Sequence, residues 1–485
     1  MSLNNAHDDT PDYNRALYTH LSEADPLVQN IIDKETWRQF SNLELINSEN
    51  LTSRATMEAS GSILTNKYSD GLPAARWHGG TEYLDQLELL CRKRALQVFD
   101  LDPEQWGVNV QLYSGSTANF AALTALIQPH DRLMGLSLPE GGQLAHGYYT
   151  SKMKKVNSSS IYFESLPYST LPGSNTVDYD SLASQANLFK PQLIICGSSS
   201  YPRDWDFERL RQIADKQSAF LMADITHTGG LVAGREQNSP FEHCDVVTTA
   251  THTTFRGPRA GLIFFRKDKN GAQDLEKRVN QAVYPACQGG PHNNRIAAIA
   301  VALKQAMDPS WRAYAKQVIA NAKALASYLL EHGYKLQTGG TDNHFVLWDL
   351  RPLGLTGSKV EKLCELMGLI INRNAIAGDS SALVPNGICL GTSALTSRDM
   401  KEEHMRIVGG FLHRAVQLAV VLQKEADSKM LKNFLRVATT PMEGNAGYVQ
   451  VKQLRDDVRQ FAMKWPLPGV DIASLKKPEG FIDHV

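Results

Sequence analysis

The chain has 485 residues, enough to bury a large core and to form roughly two to four domains. Fifty Lys and Arg residues stand against 51 Asp and Glu, so no charge excess and no basic run points to a nucleic-acid partner. The apolar stretch 418–422 falls far short of the about 20 residues that span a bilayer, and 1–12 is polar and acidic, so a cytoplasmic protein without a membrane partner is expected.

In chain order, the exposed start leads into a helix over 26–40. Short β-prone runs follow at 108–113, 133–138, 161–166, 193–196, 220–223, 246–249 and 262–265. Helical stretches lie between several of them. In 207–216, Asp206 is placed to cap, and Phe207, Leu210 and Ala214 share a face. Such alternation predicts an α/β layer with a mostly parallel sheet. After about Gly333 the rhythm changes: strands at 345–348, 369–372 and 387–390 surround one helix. A long helix over 401–426 then carries Ile407, Phe411, Leu418 and Leu422 at helical spacing, giving a smaller α+β domain. The six cysteines (Cys91, Cys196, Cys244, Cys287, Cys364 and Cys389) have no regular spacing. They read as reduced thiols, with neither a disulfide framework nor a metal site.

Tyr113-Ser114-Gly115-Ser116-Thr117-Ala118-Asn119 follows a strand and opens a helix. Small residues at a helix N-terminus turn backbone N–H groups and hydroxyls toward an anion, although a bare cap has the same composition. Asp224 ends the strand 220–223, where a carboxylate reaches out at the sheet edge, and His227 lies three residues on.

Longer runs are more specific. Glu44-Leu45-Ile46-Asn47-Ser48-Glu49-Asn50, Leu64-Thr65-Asn66-Lys67-Tyr68, Trp106-Gly107-Val108-Asn109-Val110, Met222-Ala223-Asp224 and Cys287-Gln288-Gly289-Gly290-Pro291-His292 together resemble the serine hydroxymethyltransferase family. The likeness runs from Asn42 to about Ala306 almost without gaps and more weakly to the C-terminus; the insert 151–155 resembles the eukaryotic branch. It implies the aspartate-aminotransferase type of fold: an arm over 1–45, a large domain with a seven-stranded sheet over 46–330, and a small C-terminal domain over 331–485. It also implies pyridoxal phosphate as cofactor and a homodimer or dimer of dimers. By resemblance, Ser116, Thr117 and His252 hold the phosphate, with Tyr68 and Gly290 supplied by the neighbouring subunit. Asp224 faces the ring nitrogen, and Ser199 and His227 lie along the ring edge. Ser48 touches the amino-acid substrate, while Gly142, Leu144 and Asn374 flank the folate.

The departures fall on chemistry. Thr253 stands where the resemblance places the lysine that holds the cofactor as a Schiff base, and a hydroxyl cannot form an imine. Cys389 stands at the arginine that grips the substrate carboxylate, exchanging a bidentate cation for a neutral thiol. Gln143 replaces the histidine that stacks on the ring, Asp70 a catalytic glutamate, His78 a tyrosine near the substrate and Ala250 a threonine beside the lysine. These changes lead to the expectation of a pseudoenzyme that binds a small ligand, non-covalent cofactor or no cofactor, or assembles with an active family member. A repurposed enzyme is the alternative, in which Asp70, His78, His227 and Cys389 line one cavity at a subunit interface and do acid/base or aldol-type chemistry in a specialised biosynthetic step. Residual hydroxymethyl transfer with a loosely held cofactor is the third reading.

Overall fold

The computed structural model describes residues 16–150, 152, 154–267, 274–379, 384–441 and 446–483; the acidic start and two residues of the insert lie outside them. The first long helix, α1 (Pro26–Ser41), is capped by Asp25, whose side chain accepts from the Val28 N–H at 3.0 Å. Pro26 sits in its first turn, where a missing N–H costs nothing.

Seven strands make the main sheet: β1 (Trp106–Leu112), β2 (Arg132–Leu136), β3 (Glu164–Tyr168), β4 (Leu193–Gly197), β5 (Phe220–Asp224), β6 (Val246–Ala250) and β7 (Gly261–Arg266). Their order is β1-β7-β6-β5-β4-β2-β3, and β7 alone runs antiparallel to its neighbours. Strands β1, β4 and β6 are buried along their whole length, as helices on both faces require. Helix α2 (Gly115–Leu126) follows β1, and helix α3 (Phe207–Gln217) follows β4 with Asp206 accepting from the Arg209 N–H at 2.9 Å. Phe207, Leu210 and Ala214 are buried together on α3, as predicted. The run 161–166 is not one strand. Asn157 and Ser160 form a reciprocal cap that starts a short helix, Ser158–Tyr162, and β3 begins only at Glu164. Local side-chain caps there overrule the β propensity of Ile161 and Tyr162.

Helix α4 (Ser310–Glu331) leads into a four-stranded antiparallel sheet of β8 (Lys335–Leu336), β9 (Phe345–Asp349), β10 (Asn372–Asn374) and β11 (Gly387–Gly391), in the order β8-β9-β11-β10. The predicted strand 369–372 divides. Leu369–Ile370 pairs in parallel with Leu43–Glu44, through Leu43 N–H to Gly368 O and Leu45 N–H to Ile370 O, while Asn372 starts β10. Helix α5 (Glu402–Glu425) buries Met405, Val408, Leu412, Ala415, Ala419 and Leu422. Ile407 is 45% exposed, so the predicted stripe is corrected by one residue there; Phe411, Leu418 and Leu422 are buried as expected. By length and composition α5 would also cross a bilayer, but its apolar side is packed into a core. That second core takes Leu325 and Leu329 from α4 and Leu43 and Leu45 from the start of the chain.

A last helix, α6 (Ala446–Ala462), closes the molecule. Arg398 is 1% exposed and forms no ion pair among the described residues. Its guanidinium donates instead to the carbonyls of Gln39, Phe40 and Asn42 at the end of α1 and of Ala462, Trp465 and Pro466 at the end of α6. Ile63, Tyr68, Trp77, Tyr83, Leu89 and Leu90 are all exposed.

Candidate functional site

The C-terminal ends of β4, β5 and β6 and the start of α2 converge on Asp224, the place where open α/β sheets bind ligands. Asp224 is fully buried. Its Oδ2 accepts from Asn119 Nδ2 at 2.7 Å and from His146 Nε2 at 3.0 Å, and its Oδ1 from the Thr226 N–H at 2.9 Å. Burial opposes its ionisation, but the hydrogen bond and charge of His146 and the Thr226 N–H outweigh it and hold the carboxyl below its ordinary value. Thr248 fixes Asn119 by donating to its Oδ1 at 2.6 Å. Sequence reasoning missed Asn119 and His146. The signals were a polar residue on the buried side of an otherwise apolar helix and a second polar side chain three residues after Gln143.

Around this carboxylate the structure gathers most of the predicted positions. Ser114 caps α2 by accepting from the Thr117 N–H at 3.2 Å, leaving Ser116 exposed on the first turn. A methyl group on Gly115 would lie 3.3 Å from both Ala250 Cβ and Thr226 Oγ1, so this helix start sits against the end of β6. Ser199 donates to the Gly142 carbonyl at 2.7 Å and holds the loop that carries Gly142, Gln143 and half-exposed Leu144. Gly142 has no room for a side chain, since a Cβ would stand 1.9 Å from the Leu136 carbonyl oxygen. Asn374 donates to Ser200 Oγ at 3.0 Å, and Ser48 shares a cavity with His252.

His227 is half-buried, and desolvation lowers its pKa despite the nearby Asp224. Its ring lies 6.3 Å from that of His344 and nearly parallel to it; burial and His227 push His344 down to about 3. His252 is lowered to about 4 by burial, Arg259 and His227. Gln143 Nε2, Thr226 Oγ1 and the Nδ1 atoms of His146, His227 and His252 are all buried without a partner. So many unsatisfied polar atoms beside one carboxylate fit a polar ligand. An aromatic ring nitrogen at Asp224 and a phosphate at the start of α2 suit the donors present.

Thr253 does not fit covalent attachment. It is 1% exposed, its hydroxyl donates to the Thr226 carbonyl, and its own carbonyl accepts from Asn50 Nδ2 at 2.8 Å. Within one chain Asp70, His78, His227 and Cys389 have separate surroundings. Cys389 is fully buried in an apolar cluster with Phe345, Leu347 and Ile376, and burial drives its thiol far above the ordinary value. A neutral sulfur in that setting is a packing group. Asp70, Tyr68 and Gly290 form a separate cluster with Tyr113, whose hydroxyl donates to the Gly290 carbonyl at 2.6 Å. A Cβ on Gly290 would meet Asp70 and Tyr68 at 2.9 Å, and the His78 ring lies 5.3 Å from that of Tyr68. Of the cysteines, Cys287 is half-buried and the other five are buried; all are free.

This sheet, with a carboxylate at a strand end and an anion-binding helix start, defines the fold type I class of pyridoxal-phosphate-dependent proteins. The family described as serine hydroxymethyltransferase matches residues 21–412, and the chain belongs to that family. Serine hydroxymethyltransferase 4 of Arabidopsis thaliana is 53% identical over 470 residues, covering 94% of this chain and 98% of that protein. Cytosolic serine hydroxymethyltransferase of Oryctolagus cuniculus is 50% identical over 461 residues, covering 93% and 94%, which makes the chain eukaryotic in type.

Proposed function

We propose that this member of the family has lost ordinary serine–glycine hydroxymethyl transfer and uses the fold as a pseudoenzyme that holds a phosphorylated aromatic ligand without a covalent bond. The carrying observation is that the two positions assigned to an amine and a guanidinium hold a hydroxyl turned into the Thr226 carbonyl and a thiol sealed among Phe345, Leu347 and Ile376. Pyridoxal phosphate, when bound, supplies an electron sink for amino-acid chemistry. Here Asp224 would hold its ring nitrogen, the Ser116–Thr117 turn and His252 its phosphate, and Ser199 and His227 its edge. A cytoplasmic location and self-association through the exposed Ile63–Leu90 region belong to the same reading. The second reading, a repurposed acid/base enzyme, is favoured by the unpartnered nitrogens of His227 and His252, both neutral at pH 7.

Purified protein titrated with pyridoxal phosphate tests the first reading. Binding should register calorimetrically, while borohydride should fix no cofactor onto the chain. Thr253→Lys should gain cofactor colour but little turnover of serine, because attachment and carboxylate capture are separate steps and position 389 still holds no guanidinium. Near-family turnover by the wild-type chain, or by the single lysine variant, would refute the reading.

A further inference from the structure

Two imidazoles meet on the rim of the second core, where the end of α4 packs against α5. His332 follows α4 directly and is exposed, while His413 is half-buried on α5. Their ring centroids stand 4.9 Å apart, with 57° between the ring planes. Neither residue belongs to the candidate site.

Each ring is held through its Nδ1. That of His332 lies 2.8 Å from the Tyr328 carbonyl, which can only accept, so Nδ1 carries the proton and Nε2 the lone pair. His413 Nδ1 lies 2.8 Å from the Tyr334 hydroxyl, whose oxygen also accepts from Gln417 Nε2 at 3.1 Å. In the tautomer that donates Nδ1–H to this oxygen, His413 presents its Nε2 lone pair in the same way. Among the described residues neither Nε2 has a hydrogen-bond partner. The seat beneath them is firm. His332 stacks on Tyr328 with centroids 4.1 Å apart, and Tyr328 lies so close to α5 that a Cβ on Gly409 would stand 2.5 Å from its ring. Arg406, over the same tyrosine ring, is already paired with Glu331 at 2.6 Å.

Imidazoles fixed at Nδ1 by an oxygen and open at Nε2 are in the form that metal-bound histidines take. The spacing agrees. With Nε2–metal bonds of about 2.0 Å and about 90–110° between them, the centroids of two imidazoles on one ion stand about 5 Å apart. We propose that His332 and His413 form a two-imidazole site for a divalent first-row transition metal such as Zn²⁺ or Cu²⁺, which clips the end of α4 to α5. No third His, Cys, Asp or Glu joins the pair among the described residues, so water takes the remaining positions. Imidazole donors favour these ions over Mg²⁺ and Ca²⁺, which take oxygen. The site uses no residue of the cofactor pocket and stands apart from the proposed function.

Isothermal titration of the full chain, freed of metal by a chelator and dialysed, tests it with Zn²⁺ and with Mg²⁺. Zn²⁺ should bind with an equivalent that His332→Gln and His413→Gln each remove, and Mg²⁺ should not bind there. Tyr334→Phe keeps both imidazoles but takes away the oxygen at His413 Nδ1, and should weaken Zn²⁺ about tenfold or more. Zn²⁺ should also raise the melting temperature of the wild type and leave that of His332→Gln unchanged, because the ion binds only the docked pair of helices. Should His413→Gln melt early without metal, His332→Gln alone decides, since that ring is exposed. Zn²⁺ affinity that ignores His332→Gln, equal binding of Mg²⁺, or no heat with Zn²⁺ at about 1 mM would overturn the proposal.

Discussion

Thr253 directs its one donor into the carbonyl of Thr226, two residues from the carboxylate that organises the site. Thr253→Val keeps the shape and leaves that buried carbonyl short of a donor. Urea unfolding should therefore show a loss of about 1–2 kcal/mol. The histidines on the other side of the site respond to acid. His344, with a folded pKa of about 3, is kept neutral by burial and by His227, whereas the unfolded chain protonates it below the ordinary histidine value of 6.5. The sign follows: the stability due to its neutrality is full above about pH 6.5 and is lost as the pH falls toward 3. From pH 7 to pH 5.5 this one residue removes about 1 kcal/mol. A His344→Asn variant should lose that much less than the wild type over the same interval in urea melts. At this scale the sequence was informative wherever a motif fixed the position, as at Thr253, Asp224 and His252. The Asn119–Asp224–His146 set was illegible because its members are brought together only by the packing of α2 and the 142–146 turn against β5. Cys389 shows a related limit: the motif gives its place in the chain, and only the packing of β9 and β11 shows Phe345 and Leu347 closing over it.

Strands β4 and β5 must end level for Asp224 to face the ligand, and Gly197 makes that possible. It has φ of +124°, and a Cβ there would stand 2.1 Å from the Asp224 carbonyl oxygen. Gly197→Ala combines a forbidden backbone with a clash against backbone. We expect a loss of more than about 2 kcal/mol by calorimetric melting, and weaker pyridoxal phosphate binding in whatever folds. Most strands of the large sheet were readable because parallel strands buried on both faces leave plain apolar runs between turns. Elements failed where a local cap or a distant pairing partner competes. The cap at Asn157 turned a β-prone run into helix, and the Leu43–Glu44 segment drew Leu369–Ile370 out of the small sheet. A partner segment more than 300 residues away leaves no local trace.

For the whole molecule, Ile63, Trp77, Tyr83, Leu89 and Leu90 are exposed in the same stretch of chain as Tyr68 and Asp70, which lie against Gly290. We expect a dimer by light scattering at micromolar concentration, with an interface above about 2,000 Å². Trp77→Asp with Leu89→Asp should shift it toward monomer and lower pyridoxal phosphate affinity if the neighbour completes the pocket. Arg398 makes the ends of two helices depend on one side chain. Its guanidinium donates to carbonyls in the last turns of α1 and α6, so neither helix end is satisfied until both have docked. Until then the carbonyls of Phe40 and Asn42 lack their donor, and the Leu43 N–H lacks the Gly368 carbonyl. These contacts join residues 358 apart in sequence, so the docking of α1 is a non-local step that no short stretch of the chain can complete alone.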